Sequence, residues 1–216
     1  RSQDSIEPMV AALWHQSAPF NIECPSGTVA GCGAIAVAQI LNYYKMPVHG
    51  YGRAIYENVD VDFDNRKIDW KHIRDSYPAM GYDSVDGKAV ASLVYQVGAA
   101  MKMRYGSSSS PHNYASMLWG LQHYLHFSPK SRYRRRRYYS TAEWIEMLNK
   151  ELENGRPVFY RGTHTAPNVP KDSLAGHMFV IDGRNSEGRY HFNFGNYHEE
   201  QDKYTDLNII NQGKGI

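Results

Sequence analysis

The spacing of apolar residues gives the chain a helical first part and a strand-like last part. Between residues 31 and 46, Ala34, Ile35, Ala36, Val37, Ala38, Ile40 and Leu41 leave almost no polar face. A helix that is apolar all round belongs inside a core. Pro47 sets its end, because the residue before a proline is pushed out of the α region. Cys32 therefore falls at or near the N-terminus of a buried central helix. Val90, Leu93, Val94, Val97 and Met101 recur at helical spacing and predict a second helix over 87–101. Residues 115–125 and Thr141–Glu153 read as the third and fourth, the last opened by Ser140 and Glu143 at capping-box spacing. A short apolar-periodic piece at 10–14 reads as a further helical turn.

After Gly155 the period shortens. The runs 157–160, 178–181 and 190–194 are rich in β-branched and aromatic residues, with Gly and Asn between them. Helices first and strands later fit an α+β fold rather than alternating βαβ units. Residues 49–82 are polar, turn-rich and aromatic. The Gly-Ser-rich loop 106–111 is the expected boundary, giving one domain over 1–216 with a helical lobe 1–105 and a mostly sheet lobe 106–216.

Composition narrows the function. The 216 residues, 42% of them hydrophobic, suffice for a sizeable core. Lys+Arg 24 against Asp+Glu 22 leaves a formal charge of +2, which excludes the broad electrostatic footprint of a dedicated nucleic-acid binder. No apolar run approaches the roughly 18 residues that span a bilayer. No basic-then-apolar leader is present, and the opening Arg1-Ser2-Gln3 reads as a processed or trimmed chain. Two cysteines, Cys24 and Cys32, exclude a disulfide-stapled scaffold and a four-cysteine zinc site. They leave a single disulfide or at least one working thiol.

A thiol at a helix N-terminus feels the positive end of the helix dipole, which favours the thiolate. Cys32 is thus a candidate nucleophile, with Gly31 before it leaving room for a substrate backbone; the alternatives are a small core residue or a bond to Cys24. A cysteine nucleophile needs a base from elsewhere in the chain. His177 follows Gly176 and opens the apolar strand 178–181, which would hold the imidazole rigidly. The ring in turn needs a group that fixes its tautomer, and Asn193 on the next strand is the candidate. A five-residue loop, 183–187, would pair Asp182 with Gly188 and set His177 directly opposite Asn193 on the same face.

Longer stretches carry a resemblance. Trp14-His15-Gln16-Ser17-Ala18-Pro19-Phe20-Asn21 and the run from Ala30-Gly31-Cys32-Gly33 to Asn42-Tyr43-Tyr44 are similar to the streptopain family of secreted bacterial cysteine peptidases. Asn154-Gly155-Arg156-Pro157-Val158-Phe159-Tyr160 and Gly176-His177-Met178-Phe179-Val180-Ile181-Asp182-Gly183 follow in the same order. The resemblance implies a papain-like fold, with the cysteine helix in one lobe and a twisted antiparallel sheet in the other. It implies Cys32 as nucleophile, His177 as base and acid, Asn193 as the orienting residue, and Gln16 with the Cys32 amide as oxyanion donors. Gly176 and Ser110 become substrate-binding candidates. It also implies a zymogen, protein or peptide substrates, a pro-segment or related inhibitor as partner, a secreted, cell-surface or periplasmic bacterial location, and no metal or organic cofactor.

The sequence departs from that family at several points. Where the family follows its orienting Asn with Trp-Gly-Trp-Gly-Gly, this chain has Phe194-Gly195-Asn196-Tyr197-His198 and then Glu199-Glu200. Pro111 stands where a substrate-contacting serine would align, which makes Ser110 the neighbouring candidate, and the chain stops at Gly213-Lys214-Gly215-Ile216, before an expected final strand. The altered loop after Asn193 motivates one rival reading, an impaired homologue that binds peptides or a pro-segment-like inhibitor. A second rival is a related Cys-His amidase or acyltransferase, and Asn193 argues against an acyltransferase, which more often orients with Asp. The basic run 134–137 is open to a phosphate-binding reading, but reads first as a charge-protected, solvated edge strand. His123 and His126, three apart on one helix face, lack a nearby carboxylate in that helix to complete a metal site.

Overall fold

The computed structural model describes residues 4–78, 83–163, 176–196 and 204–207. Among them are four α-helices, and every strand pairing is antiparallel, so the fold is α+β. The chain divides into two compact units, one of Ala12–Tyr133 and one of Arg1–Ala11 with Arg134–Ile216.

The first unit is built on α1 (Cys32–Tyr44), which is buried continuously from Gly33 to Asn42, as an all-apolar helix must be. It packs on α2 (Val85–Ala100), and α2 packs on α3 (Tyr114–Leu125). Ser84 and Asn113 cap the latter two by accepting from Gly87 N and Ser116 N. Two short hairpins complete it: β1 (Arg53–Tyr56) with β2 (Val59–Asp62), and β3 (Met103–Arg104) with β4 (Ser110–Pro111). The first hairpin was hidden in the polar stretch, where Val59 and Val61 face inward and Asp60 outward, a period-two signal only four residues long.

In the second unit α4 (Thr141–Glu153) starts at the expected capping box, with Ser140 and Glu143 satisfying each other's backbone. Its Trp144, Leu148 and Leu152 pack on Tyr160, Phe179, Ile181, Tyr190 and Phe192. Those residues line one face of a sheet in the order β5 (Val158–Thr163), β6 (Gly176–Arg184), β7 (Tyr190–Asn193), β8 (Tyr204–Thr205). Each large apolar side chain buried there contributes about 1.5–3 kcal/mol. The polar tips are satisfied: Trp144 Nε1 donates to the Tyr160 hydroxyl at 2.8 Å, and the Tyr190 hydroxyl donates to Asn149 Oδ1 at 2.7 Å.

Four expectations are corrected. The boundary lies after Tyr133 rather than in loop 106–111, because that loop returns as β4 to pair with β3 and α3 packs on α2. Residues 10–14 are not helical; Val10, Ala12 and Trp14 are buried while Ala11 and Leu13 are exposed, the alternation of extended chain. The run 134–137 is no strand, but irregular chain entering a single 3₁₀ turn, Arg136–Tyr138. The β6–β7 register differs as well. Arg184 pairs with Tyr190, the ladder shifts at a bulge between Ile181 and Gly183, and Asn193 stands opposite Val180 rather than His177. The turn falls later along the chain than expected, with Asn185 N donating to Arg189 O at 2.9 Å; that displacement makes the offset, and the bulge takes one residue of it back.

The opening residues also belong to the sheet. Ile6 and Arg184 exchange two backbone hydrogen bonds, of 2.7 and 2.9 Å, and Val10 N donates to Asp182 Oδ2 at 2.8 Å. Asp182 Oδ1 meets His191 Nδ1 at 2.6 Å, with both side chains buried.

Candidate active site

Cys32 is the first residue of α1 and half-buried. Its first turn holds no acidic residue and its N-cap, Gly31, has no side chain, so the positive helix end meets no local carboxylate. Gly31 has φ 91°, and a Cβ there would lie 2.9 Å from the Ser109 carbonyl oxygen. The glycine thus serves close packing of loop 106–110 as well as the turn into the helix, which corrects the expectation of open space for a substrate. That loop is tied in by Ser109, whose hydroxyl donates to Val29 O at 2.7 Å. Ser110 itself is exposed on β4, opposite Arg104.

The segment carrying Gln16 is fastened to the same helix. Ala30 N donates to Gln16 O at 3.0 Å, two residues before Cys32. Trp14 N donates to Oε1 of Gln39, a fully buried residue of α1, and Trp14 Nε1 donates to Arg74 O at 3.0 Å. Phe20 packs on Trp14 from the other side of the turn, with ring centroids 5.7 Å apart. No disulfide joins Cys24 to Cys32. Cys24 is buried, and burial pushes its thiol up to about 12.

In the sheet unit Gly176 opens β6 opposite Thr163, and a side chain there would run into the Arg161 guanidinium. His177 follows, half-buried, with its ring stacked 6.1 Å from Phe179. His177 Nε2 lies 2.7 Å from the Phe194 carbonyl oxygen. A carbonyl oxygen can only accept, so Nε2 carries the proton, and in the neutral ring Nδ1 keeps the lone pair that a base requires. The Phe194 ring packs into the core cluster, 5.2 Å from Phe179 and 5.6 Å from Phe192, and so anchors its own carbonyl. Asn193 is buried, and its Oδ1 accepts from Gly195 N at 3.1 Å, closing the turn that presents that carbonyl.

The profile of the Peptidase C10 family matches residues 14–204. This chain belongs to that family. Over 93% of its length it is 28% identical to the thiol protease/hemagglutinin PrtT of Porphyromonas gingivalis, and over 88% it is 27% identical to streptopain of Streptococcus pyogenes. It spans 23% of the first relative and 54% of the second. Among solved structures it is similar to active wild-type interpain A of Prevotella intermedia, with a TM-score of 0.85, 30% identity, and coverage of 97% of this chain and 89% of that one. A prointerpain A fragment gives a TM-score of 0.83 with 68% of that chain covered.

Within this C10 chain, Gln16, Cys32 and Ser110 lie in one compact unit, and Gly176, His177 and Asn193 in the other. The residues 198–200 and 213–216 that depart from the resembling family lie outside the described residues. Three contributors escaped the sequence reading. Gln39 had a signal: a lone amide on an all-apolar helix must find a partner. Ser109 was one of four consecutive serines with nothing to single it out. The Phe194 contact is made by the backbone, which carries no side-chain signature. His123 stacks on Trp119 and His126 lies against Tyr51, each in its own aromatic contact. Among the described residues no group of three or more metal-binding side chains assembles.

Proposed function

We propose that the chain is a cysteine endopeptidase working through an acyl-enzyme on Cys32. The single observation that carries this is Cys32 as the first residue of a buried helix whose first turn holds no acidic residue and whose N-cap is a glycine. Membership of the C10 family supports the same class. In the reaction His177 Nδ1 first takes the Cys32 thiol proton, the thiolate adds to the scissile carbonyl carbon, and the oxyanion takes hydrogen bonds from the Gln16 amide and the Cys32 backbone N–H. His177 gives a proton to the leaving amine as the C–N bond breaks. It then takes a proton from the water that hydrolyses the thioester, which releases the acid and regenerates the thiol. The Nε2–H bond to the Phe194 carbonyl keeps the ring in the tautomer this cycle needs, and Asn193 acts on the ring through the turn it closes. Gly176 and Ser110 contribute backbone and hydroxyl contacts to the substrate. No metal or organic cofactor takes part. The solved pro-form of interpain A supports a zymogen held by a pro-segment, and the resemblance to secreted peptidases supports action outside a bacterial cell. No described helix is long and apolar enough to cross a membrane.

The test is alkylation by iodoacetamide across pH, with casein hydrolysis followed in parallel. Cys32 should react fast well below the ordinary thiol pKa of about 8.5. Cys24, protonated until about 12, should react only on unfolding. Cys32→Ala should abolish hydrolysis. Slow alkylation with no hydrolysis would sink the reading and leave a peptide-binding homologue. Fast alkylation with intact casein would transfer it to an acyltransferase.

A further inference from the structure

Charge is distributed very unevenly along this nearly neutral chain. Residues 87–142 hold nine of the 24 basic residues and none of the 22 acidic ones. Elsewhere acids outnumber bases, 22 to 15. The cations concentrate at Lys130, Arg132, Arg134, Arg135, Arg136 and Arg137, six in eight residues. All but Arg136 are exposed. This stretch is not a sheet edge, so protection of an edge does not account for it.

Several of these groups are held in place by their own segment. Arg132 Nη1 donates to Pro129 O at 2.6 Å and Ser131 O at 2.9 Å. The Arg137 guanidinium lies 4.8 Å from the Tyr138 ring centroid and donates to its hydroxyl at 2.8 Å. Arg136 is committed inward, donating to Tyr139 O and Thr141 Oγ1, both at 2.6 Å. Guanidinium groups already restrained lose less freedom when they bind an oxyanion, and their planar donors match sulfate and carboxylate oxygens two at a time.

We infer that residues 130–137 form a docking strip for a sulfated polysaccharide chain. No acidic side chain lies within residues 130–137 to repel an anionic chain laid along them. A single flexible polyanion engages the strip alone, within the screening distance of about 8 Å at physiological salt. Single-stranded nucleic acid draws on open aromatic faces for base stacking. Here Tyr133 lies flat on Tyr114 at 4.8 Å and Arg137 covers one side of Tyr138. The inference stands apart from the peptidase reading, since none of these residues belongs to the proposed catalytic set.

Heparin serves as the probe, in a salt-gradient column and by calorimetry in 0.15 M salt. The wild-type chain should be retained beyond that salt concentration. The variant R134Q/R135Q/R137Q should bind at least about tenfold more weakly with a shallower salt dependence, as expected for lost ion contacts. Arg136 is kept so that its bonds to Tyr139 and Thr141 survive, and an unchanged thermal midpoint shows an intact fold. The control K71Q/K88Q/K102Q removes the same formal charge elsewhere and should leave retention unchanged. Equal loss in that control would overturn the strip, as would tighter binding to oligo(dT) or to vesicles containing phosphatidylserine than to heparin of matched charge. Retention of unsulfated hyaluronan equal to that of heparin would overturn the preference for sulfate.

Discussion

The helical unit holds Cys32 by a helix terminus that the surrounding sequence creates, whereas the sheet unit holds His177 by partners that only strand pairing brings near. Around Cys32 the decisive elements are the apolar run that buries α1 and the Gly31 that turns into it. Gln39 on that helix then pins the Trp14 backbone, which fixes the start of the turn carrying Gln16. Around His177 the decisive contact is with a carbonyl seventeen residues away, and its position depends on a hairpin turn and a bulge between the two. A helix displays its end wherever the helix forms. A strand displays a side chain usefully only when its register is right, and one extra residue reverses the face.

The largest effect that would sharpen this contrast is at the helix side. Gln16→Ala should lower kcat on a fluorogenic peptide by about 10²–10³-fold, the usual cost of one oxyanion donor, with KM little changed. A loss confined to KM would remove Gln16 from the oxyanion role. On the sheet side, Asp182→Ala removes a buried carboxylate that serves both Val10 N and His191. It should cost about 3 kcal/mol in urea unfolding, as for other buried polar partners removed singly. A loss under about 1 kcal/mol would mean the opening residues are held by their backbone bonds alone. The smallest effect separates the two ways of orienting His177. On the proposal that Asn193 acts through the turn it closes, Asn193→Ala should reduce kcat about tenfold and leave the pH profile of Cys32 alkylation in place, the Phe194 carbonyl still holding the ring. A drop as deep as that of His177→Ala, with a shifted profile, would assign the orienting contact to the Asn193 side chain itself.

The same contrast explains what was legible in the chain. α1, α2, α3 and α4 fall within two residues of their expected bounds, because helical period, caps and Pro47 are all local signals. β5, β6 and β7 were legible as β-rich runs, but their register and the two-residue β8 were not. The expected Asp182–Gly188 pair set the turn too early along the chain, and nothing in Ile181-Asp182-Gly183 announces the bulge except the glycine. The extended path of residues 10–14 was misread because Val10, Ala12 and Trp14 satisfy a short helical count as well as an alternation. Partners distant in sequence decide between them, Asp182 for Val10, Asp75 for Leu13 and Gln39 for Trp14. The exposed arginines were conspicuous in sequence, but their setting was not, since an edge strand and an irregular segment carry the same composition.

The long pairing of Val10 with Asp182 has a consequence for how the molecule is made. Ile6 and Val10 leave the ribosome well before the strand they bind, and the whole helical unit is synthesised between the two. The unit over Ala12–Tyr133 is closed by contacts within itself and is free to fold while the rest is still being translated. The sheet must wait for Arg184 before its opening segment can dock. Closing so long a loop is slow relative to local helix formation, so the sheet unit completes its pairing after the helical unit has formed. Until then Cys32 stands on a finished helix while His177 lies on a strand whose opening segment has yet to dock.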